Sequence, residues 1–123
     1  MFNLNFSITM KQVFGILFLL GLMVGSLQAQ STQEVKIKTS AVCGMCKRAI
    51  EKDMAFEKGI KKAELDVKSQ ILTVAYDPKK TNPEKIRKAV SKVGYDADNV
   101  PAQPKAYSRL PECCKKDNAI HEK

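Results

Sequence analysis

The chain has 123 residues, a formal net charge of +8, four cysteines, one histidine and no tryptophan. That length holds one small domain with appendages and is too short for a large core around a deep catalytic pocket. The lysines are scattered without interleaved aromatics, so the basic balance reads as a solvated face able to dock an acidic partner, not as a nucleic-acid interface.

The first element is an apolar run, Val13 to Val24, that follows Lys11 and precedes Ser26-Leu27-Gln28-Ala29-Gln30. A positive start, a short apolar middle and small residues at the end make residues 1–29 a signal peptide, cut after Ala29. The run falls short of the ~18 apolar residues of a membrane-spanning helix. No cysteine stands at its end to carry a lipid. The mature protein is therefore expected to be secreted or periplasmic, with no membrane span and no nucleic-acid partner. An uncleaved anchor is the alternative, and Met10 is a second candidate start.

Residues 30–100 read as one domain. Glu34 to Thr39 alternates apolar and polar residues, the pattern of a half-buried strand. The loop Ser40 to Met45 follows, then a helix from Cys46 to Lys58. Ile50 and Met54 continue its apolar stripe from Cys46, with Ala49 and Phe56 widening it, and Gly59 ends it. Ile60 to Val67 and Gln70 to Tyr76 are two further strands, joined as a hairpin through Lys68-Ser69. Thr81-Asn82-Pro83-Glu84 opens a second helix, Pro83 to Val93, whose buried face is Ile86, Ala89, Val90 and Val93. Gly94 stops it. Tyr95 to Val100 is a weak sixth element, because Asp96, Asp98 and Asn99 disfavour a strand. The order predicts an α+β, ferredoxin-like βαββαβ sandwich with two helices on one face of an antiparallel sheet. Residues 101–123, punctuated by Pro101, Pro104 and Pro111, read as a basic, cysteine-containing tail.

The cysteines form two tight pairs, Cys43/Cys46 and Cys113/Cys114. Neither pair closes a loop long enough to restrain the unfolded chain much, so both look more like chelating or redox groups than staples. Cys43-Gly44-Met45-Cys46 joins a strand to a helix, and two intervening residues let both sulfurs turn to one point. Cys46 in the first helical turn, with Lys47 and Arg48 beside it, is placed to ionise readily. Thiolates select soft cations: Cu(I), Zn(II) and, by the same logic, Cd(II) and Hg(II). Met45 is a loop hydrophobe, with weak thioether ligation as the alternative.

The stretch CGMCKRAIEKDMAFEKGI, Cys43 to Ile60, resembles the heavy-metal-associated domain family of copper chaperones, copper-ATPase modules and periplasmic mercuric-ion-binding proteins. Ile50-Glu51, Met54 and Gly59-Ile60 fit its pattern after the cysteines. Val74 to Pro78 resembles its third strand and Gly94-Tyr95 the end of its second helix, so the likeness runs from Glu34 to Asn99. It implies Cys43 and Cys46 as the metal ligands, Cu(I) as the first cargo, and Tyr95 as an aromatic near the metal loop. It also implies a carrier that hands metal to a membrane transporter or another exported carrier through a shared three-coordinate thiolate state; sequestration or sensing without transfer is the alternative, and the metal-free protein is expected to be a monomer. One departure stands out: the family's Gly-Met-Thr before the first cysteine is Ser40-Ala41-Val42, and Ala41 offers less packing beneath the loop.

The rival reading is a thiol–disulfide oxidoreductase using the same two cysteines. Only one strand precedes them, against the βαβ setting that chemistry favours. A plain structural disulfide is a third reading. No carboxylate pair, neighbouring histidine or phosphate loop points to catalysis, so a non-enzyme is expected. His121 reads as solvated and Tyr76 as a core strand residue. For Cys113 and Cys114 two readings stand: tail thiols without a site, or auxiliary ligands to the metal held by Cys43 and Cys46. Adjacent thiols could bridge each other only under strain.

Overall fold

The computed structural model describes residues 31–118. The signal-peptide expectation for residues 1–29, and His121, lie outside the described residues. Strand β1 (Gln33–Lys38) leads into helix α1 (Gly44–Phe56), the hairpin β2 (Ile60–Asp66) and β3 (Ile71–Tyr76), and helix α2 (Pro83–Val93). The sheet is antiparallel throughout, in the order β1-β3-β2. β3 takes the centre because its ILTVAY sequence is β-branched or aromatic at most positions and can pack on both neighbours. Its register sets Leu72 between Ile37 and Leu65, three fully buried side chains in one row, and Val74 between Val35 and Ala63 in the next.

Both helices cover that apolar face. Cys46, Ile50 and Met54 repeat every four residues along one side of α1 and are completely buried. Phe56, expected to widen this stripe, is 83% exposed instead. Two residues advance a helix by roughly 200°, which carries Phe56 to the side opposite Met54. α1 also begins and ends earlier than the periodicity indicates. Gly59, at φ 84°, turns the chain into β2, and a Cβ there would stand 2.9 Å from that of Lys80. α2 has the expected bounds. Asn82 Oδ1 accepts from the Lys85 amide at 2.9 Å, Pro83 fills the first turn, and Gly94 closes the helix in the left-handed region at φ 115°.

The fold is the expected ferredoxin-like α+β arrangement, with its sixth element reduced to isolated bridges, Thr39 with Ala97 and Ala97 with Val100. Asp98 explains the reduction. It sits at φ 51° and both accepts from the Lys38 amide through Oδ1 and donates its own amide to the Lys38 carbonyl, each at 2.8 Å. A side chain thus replaces the ladder that a strand would build.

The segment expected as a tail folds back on the domain as far as it is described. Helix α3 (Pro104–Ser108) packs beside α2, and a 3-10 turn (Glu112–Cys114) follows it. Gln103 donates its amide to the Ser91 carbonyl at 3.1 Å, and the Ser91 hydroxyl donates to the Pro101 carbonyl at 2.7 Å. Gly94 makes the approach possible: a Cβ there would meet the Ala106 backbone at 3.1 Å.

Candidate metal centre

Cys43 is the N-cap of α1, in extended conformation, and its carbonyl accepts the Lys47 amide at 3.1 Å. Cys46, one turn into the helix, has no exposed surface. The two sulfurs stand 2.9 Å apart. The loop before them rests on Ala41, which is fully buried. The support that a larger residue would give there comes from neighbours: Gln70 Nε2 donates to the Ala41 carbonyl at 3.0 Å, and the Thr39 hydroxyl accepts the Ala41 amide at 3.3 Å. The Ser40 hydroxyl accepts the Asp96 amide at 2.9 Å, tying the loop to the segment after α2. None of these three polar residues is marked by a motif. Gln70 matters because its left-handed turn (φ 62°) aims it at the loop, a property visible only in the fold.

The C-terminal segment meets the same place. The 3-10 turn, closed by the Cys114 amide donating to the Pro111 carbonyl at 2.8 Å, leaves Cys114 only 2% exposed. Its sulfur lies 3.6 Å from that of Cys43 and 3.9 Å from that of Cys113. The sulfurs of Cys43, Cys113 and Cys114 all fall within 4.8 Å of one another. Cys113 also reaches Met45, sulfur to sulfur, at 3.8 Å. Met45 is half exposed, so this side of the cluster opens to solvent. No disulfide joins the cysteines.

The electrostatics differ from expectation. Lys47 turns its ammonium away from the thiols, to the Leu65 carbonyl at 2.9 Å and to Glu51 at 3.4 Å. Burial pushes the Cys43 thiol up, but hydrogen bonds from the Cys46 thiol and amide, the Cys114 thiol and the Met45 amide outweigh it, and Cys43 ionises more readily than an ordinary cysteine. Burial, and then the bonds to Cys46 and Cys43, push Cys114 the other way. A thiolate on Cys43 is thus favoured by the thiols of Cys46 and Cys114 that donate to it. Tyr95, expected near the loop, is buried behind the cysteines. Its ionisation is driven far up by burial and by the adjacent sulfurs of Cys46 and Cys114. Its hydroxyl has no hydrogen-bond partner of ordinary geometry.

With this geometry in view, the comparisons are specific. The model of the heavy-metal-associated domain matches residues 36–96. Copper-transporting ATPase 1 of Rattus norvegicus is 34% identical over 67 residues, which span 54% of this chain and 4% of the ATPase. Oxidised MerP of Ralstonia metallidurans CH34 superposes with a TM-score of 0.53 at 25% identity, covering 55% of this chain and 96% of MerP. The CopZ metallochaperone gives 0.51 at 24% identity, covering 53% and 98%, and is a likeness of fold. The matched stretch runs from the second half of β1 through Tyr95 with both loop cysteines, and it stops before the segment that carries Cys113 and Cys114. Over residues 36–96 this chain belongs to the heavy-metal-associated domain family.

Proposed function

We propose that the protein is an exported carrier that binds one soft cation, Cu(I) foremost, through Cys43 and Cys46 and passes it on by ligand exchange. The observation that carries this reading is the meeting of the two sulfurs, 2.9 Å apart, at the junction of β1 and α1. Cys43 supplies the thiolate that captures the ion, and the half-exposed loop gives an acceptor access to it. The relative that is named a copper-transporting ATPase supports copper and a membrane transporter as the receiving partner, and the likeness to MerP keeps Hg(II) in the set with Zn(II) and Cd(II). Another exported metal carrier is the second candidate partner. Among the described residues no helix is long and apolar enough to cross a membrane. Export rests on the Lys11 to Ala29 segment, and intact mass of the protein from its own host should give a chain starting near Gln30.

The deciding experiment is chelator competition for Cu(I), with the parent set against the double variant Cys43→Ser/Cys46→Ser. Loss of tight binding in the double variant is expected. Binding as tight as the parent's would remove these cysteines as the main ligands. Robust catalysis of disulfide exchange by the parent would instead favour the oxidoreductase reading of the same loop.

A further inference from the structure

We propose that the C-terminal segment completes the metal site, with Cys114 as a third thiolate and Cys113 as a fourth around the ion held by Cys43 and Cys46. This rests on the reading of those two cysteines as ligands and names the class of cargo: soft ions that take three or four sulfurs.

The sulfur spacings suit a shared ion. Thiolates at ~2.3 Å from one ion stand roughly 3.8 Å apart when tetrahedral, roughly 4.0 Å when trigonal and roughly 4.6 Å when linear. Cys114 is 3.6 Å from Cys43 and 3.9 Å from Cys113, close to the trigonal and tetrahedral spacings. The pair Cys43–Cys46, at 2.9 Å, has to spread by about an ångström to share an ion, and much further to hold one linearly. The sulfurs of Cys43, Cys113 and Cys114 stand within 4.8 Å of one another, and Cys46 joins them through Cys43 at 2.9 Å, with 71 residues separating Cys43 from Cys114.

Cys114 is also held firmly in place. An exposed tail thiol would sample many positions. This one is fixed by a turn closed on Pro111, by α3 lying on Gly94, and by Lys116, whose ammonium donates to the Asp96 carboxylate. Asp96 also accepts the Ala102 amide, so one carboxylate ties both ends of the segment to the domain.

The Tyr95 hydroxyl is buried against the sulfurs of Cys46 and Cys114, and among the described residues it has no better acceptor. A neutral thiol is a weak acceptor, and this O–H gains a strong one when either sulfur becomes a metal-bound thiolate. Each thiol that ligates gives up its proton to solvent as the metal enters. The result is an ion enclosed on the buried side by Cys46, Cys114 and Tyr95, with Cys113 and Met45 at the rim where an acceptor would displace the fourth sulfur first.

Cadmium NMR on the unmutated mature chain, with the metal alone added, tests this without a folding ambiguity. The expected result is a chemical shift in the range of three or four thiolates, with through-metal couplings to the β-protons of Cys114. A two-thiolate shift without those couplings overturns the proposal. Cu(I) X-ray absorption and competition give the second arm, on variants whose circular dichroism matches the parent's. Cys114→Ala should lower the sulfur count by one, and Cys113→Ser/Cys114→Ser should lower it to two and weaken binding on the order of 100-fold. Unchanged count and affinity overturn it. The double variant Cys43→Ser/Cys46→Ser separates the two claims: if it alone loses tight binding while the tail variants match the parent, the carrier reading survives and the completed site does not.

Discussion

The loop of residues 40–46 and the segment of residues 101–118 bring sulfurs to the same point, but they are held there differently. The loop is built into the core. Ala41 and Cys46 are wholly buried, Cys46 continues into Ile50 and Met54, and Gln70 and Thr39 fasten the backbone between. The C-terminal segment has one buried residue, Cys114, a half-buried Leu110, and polar ties whose partners stay partly in water. The loop cannot leave without unfolding the sheet and helix that frame it. The segment can detach at a cost set by a few contacts, so the two belong to different levels of local stability. On the proposed carrier reading, this division would keep two ligands permanent and make the others removable.

The largest expected effect breaks both regions at once. Ile50→Ala empties the fully buried position between Cys46 and Met54 and should destabilise the domain by about 2–5 kcal/mol in urea unfolding. If it cost less than undocking the segment does, the loop would not be the better-held region. Gly94→Val comes next. A β-branched residue at φ 115° is strained, and its Cβ would meet the Ala106 backbone at 3.1 Å. We expect a loss of about 1–3 kcal/mol and faster amide exchange in residues 101–118, while the amides of β3 stay protected. Uniform exchange across both regions would erase the distinction.

Asp96→Asn probes the weakest tie and should cost under ~1 kcal/mol, since its partner Lys116 is partly exposed. The same carboxylate gives a pH dependence. Burial raises its pKa, but the Lys116 ammonium and the Ala102 amide outweigh that and hold it below the ordinary carboxylate range. A depressed acid contributes stability above its unfolded pKa of about 3.9 and loses it as pH falls through the lower folded value. Protection factors in the segment, corrected for the intrinsic exchange rate at each pH, should therefore fall on acidification in that window, and Asp96→Asn should flatten the fall. The smallest effect belongs to Phe56→Ser, within about 0.5 kcal/mol, because this side chain lies on the solvent face of α1. A large loss would mean that Phe56 contributes to the core stripe after all.

The periodicities of β1, β3 and α2, and the caps around Pro83 and Gly94, were legible because each depends on residues close in sequence. Phe56 was misassigned because a stripe widened by two residues crosses to the opposite face of the helix. The loop's fastening by Gln70, Thr39 and Ser40 carried no signal, since any polar residue could stand there until the turn at residue 70 aims one of them. The weakness of the sixth element was readable from its aspartates, though not that Asp98 would take over the pairing with Lys38.

Alternation and helical repeat, together with the resemblance they accompany, determined the α+β order and the place of Cys43 and Cys46, because secondary structure and a two-residue chelate spacing are local properties. Only the tertiary structure decided where Cys113 and Cys114 go. Their approach depends on a left-handed glycine with no side chain at residue 94, on Asp96 reaching two points of a later segment, and on a 3-10 turn that buries one thiol of an adjacent pair. Each of these joins residues far apart in the chain, so no reading of neighbouring residues contains them.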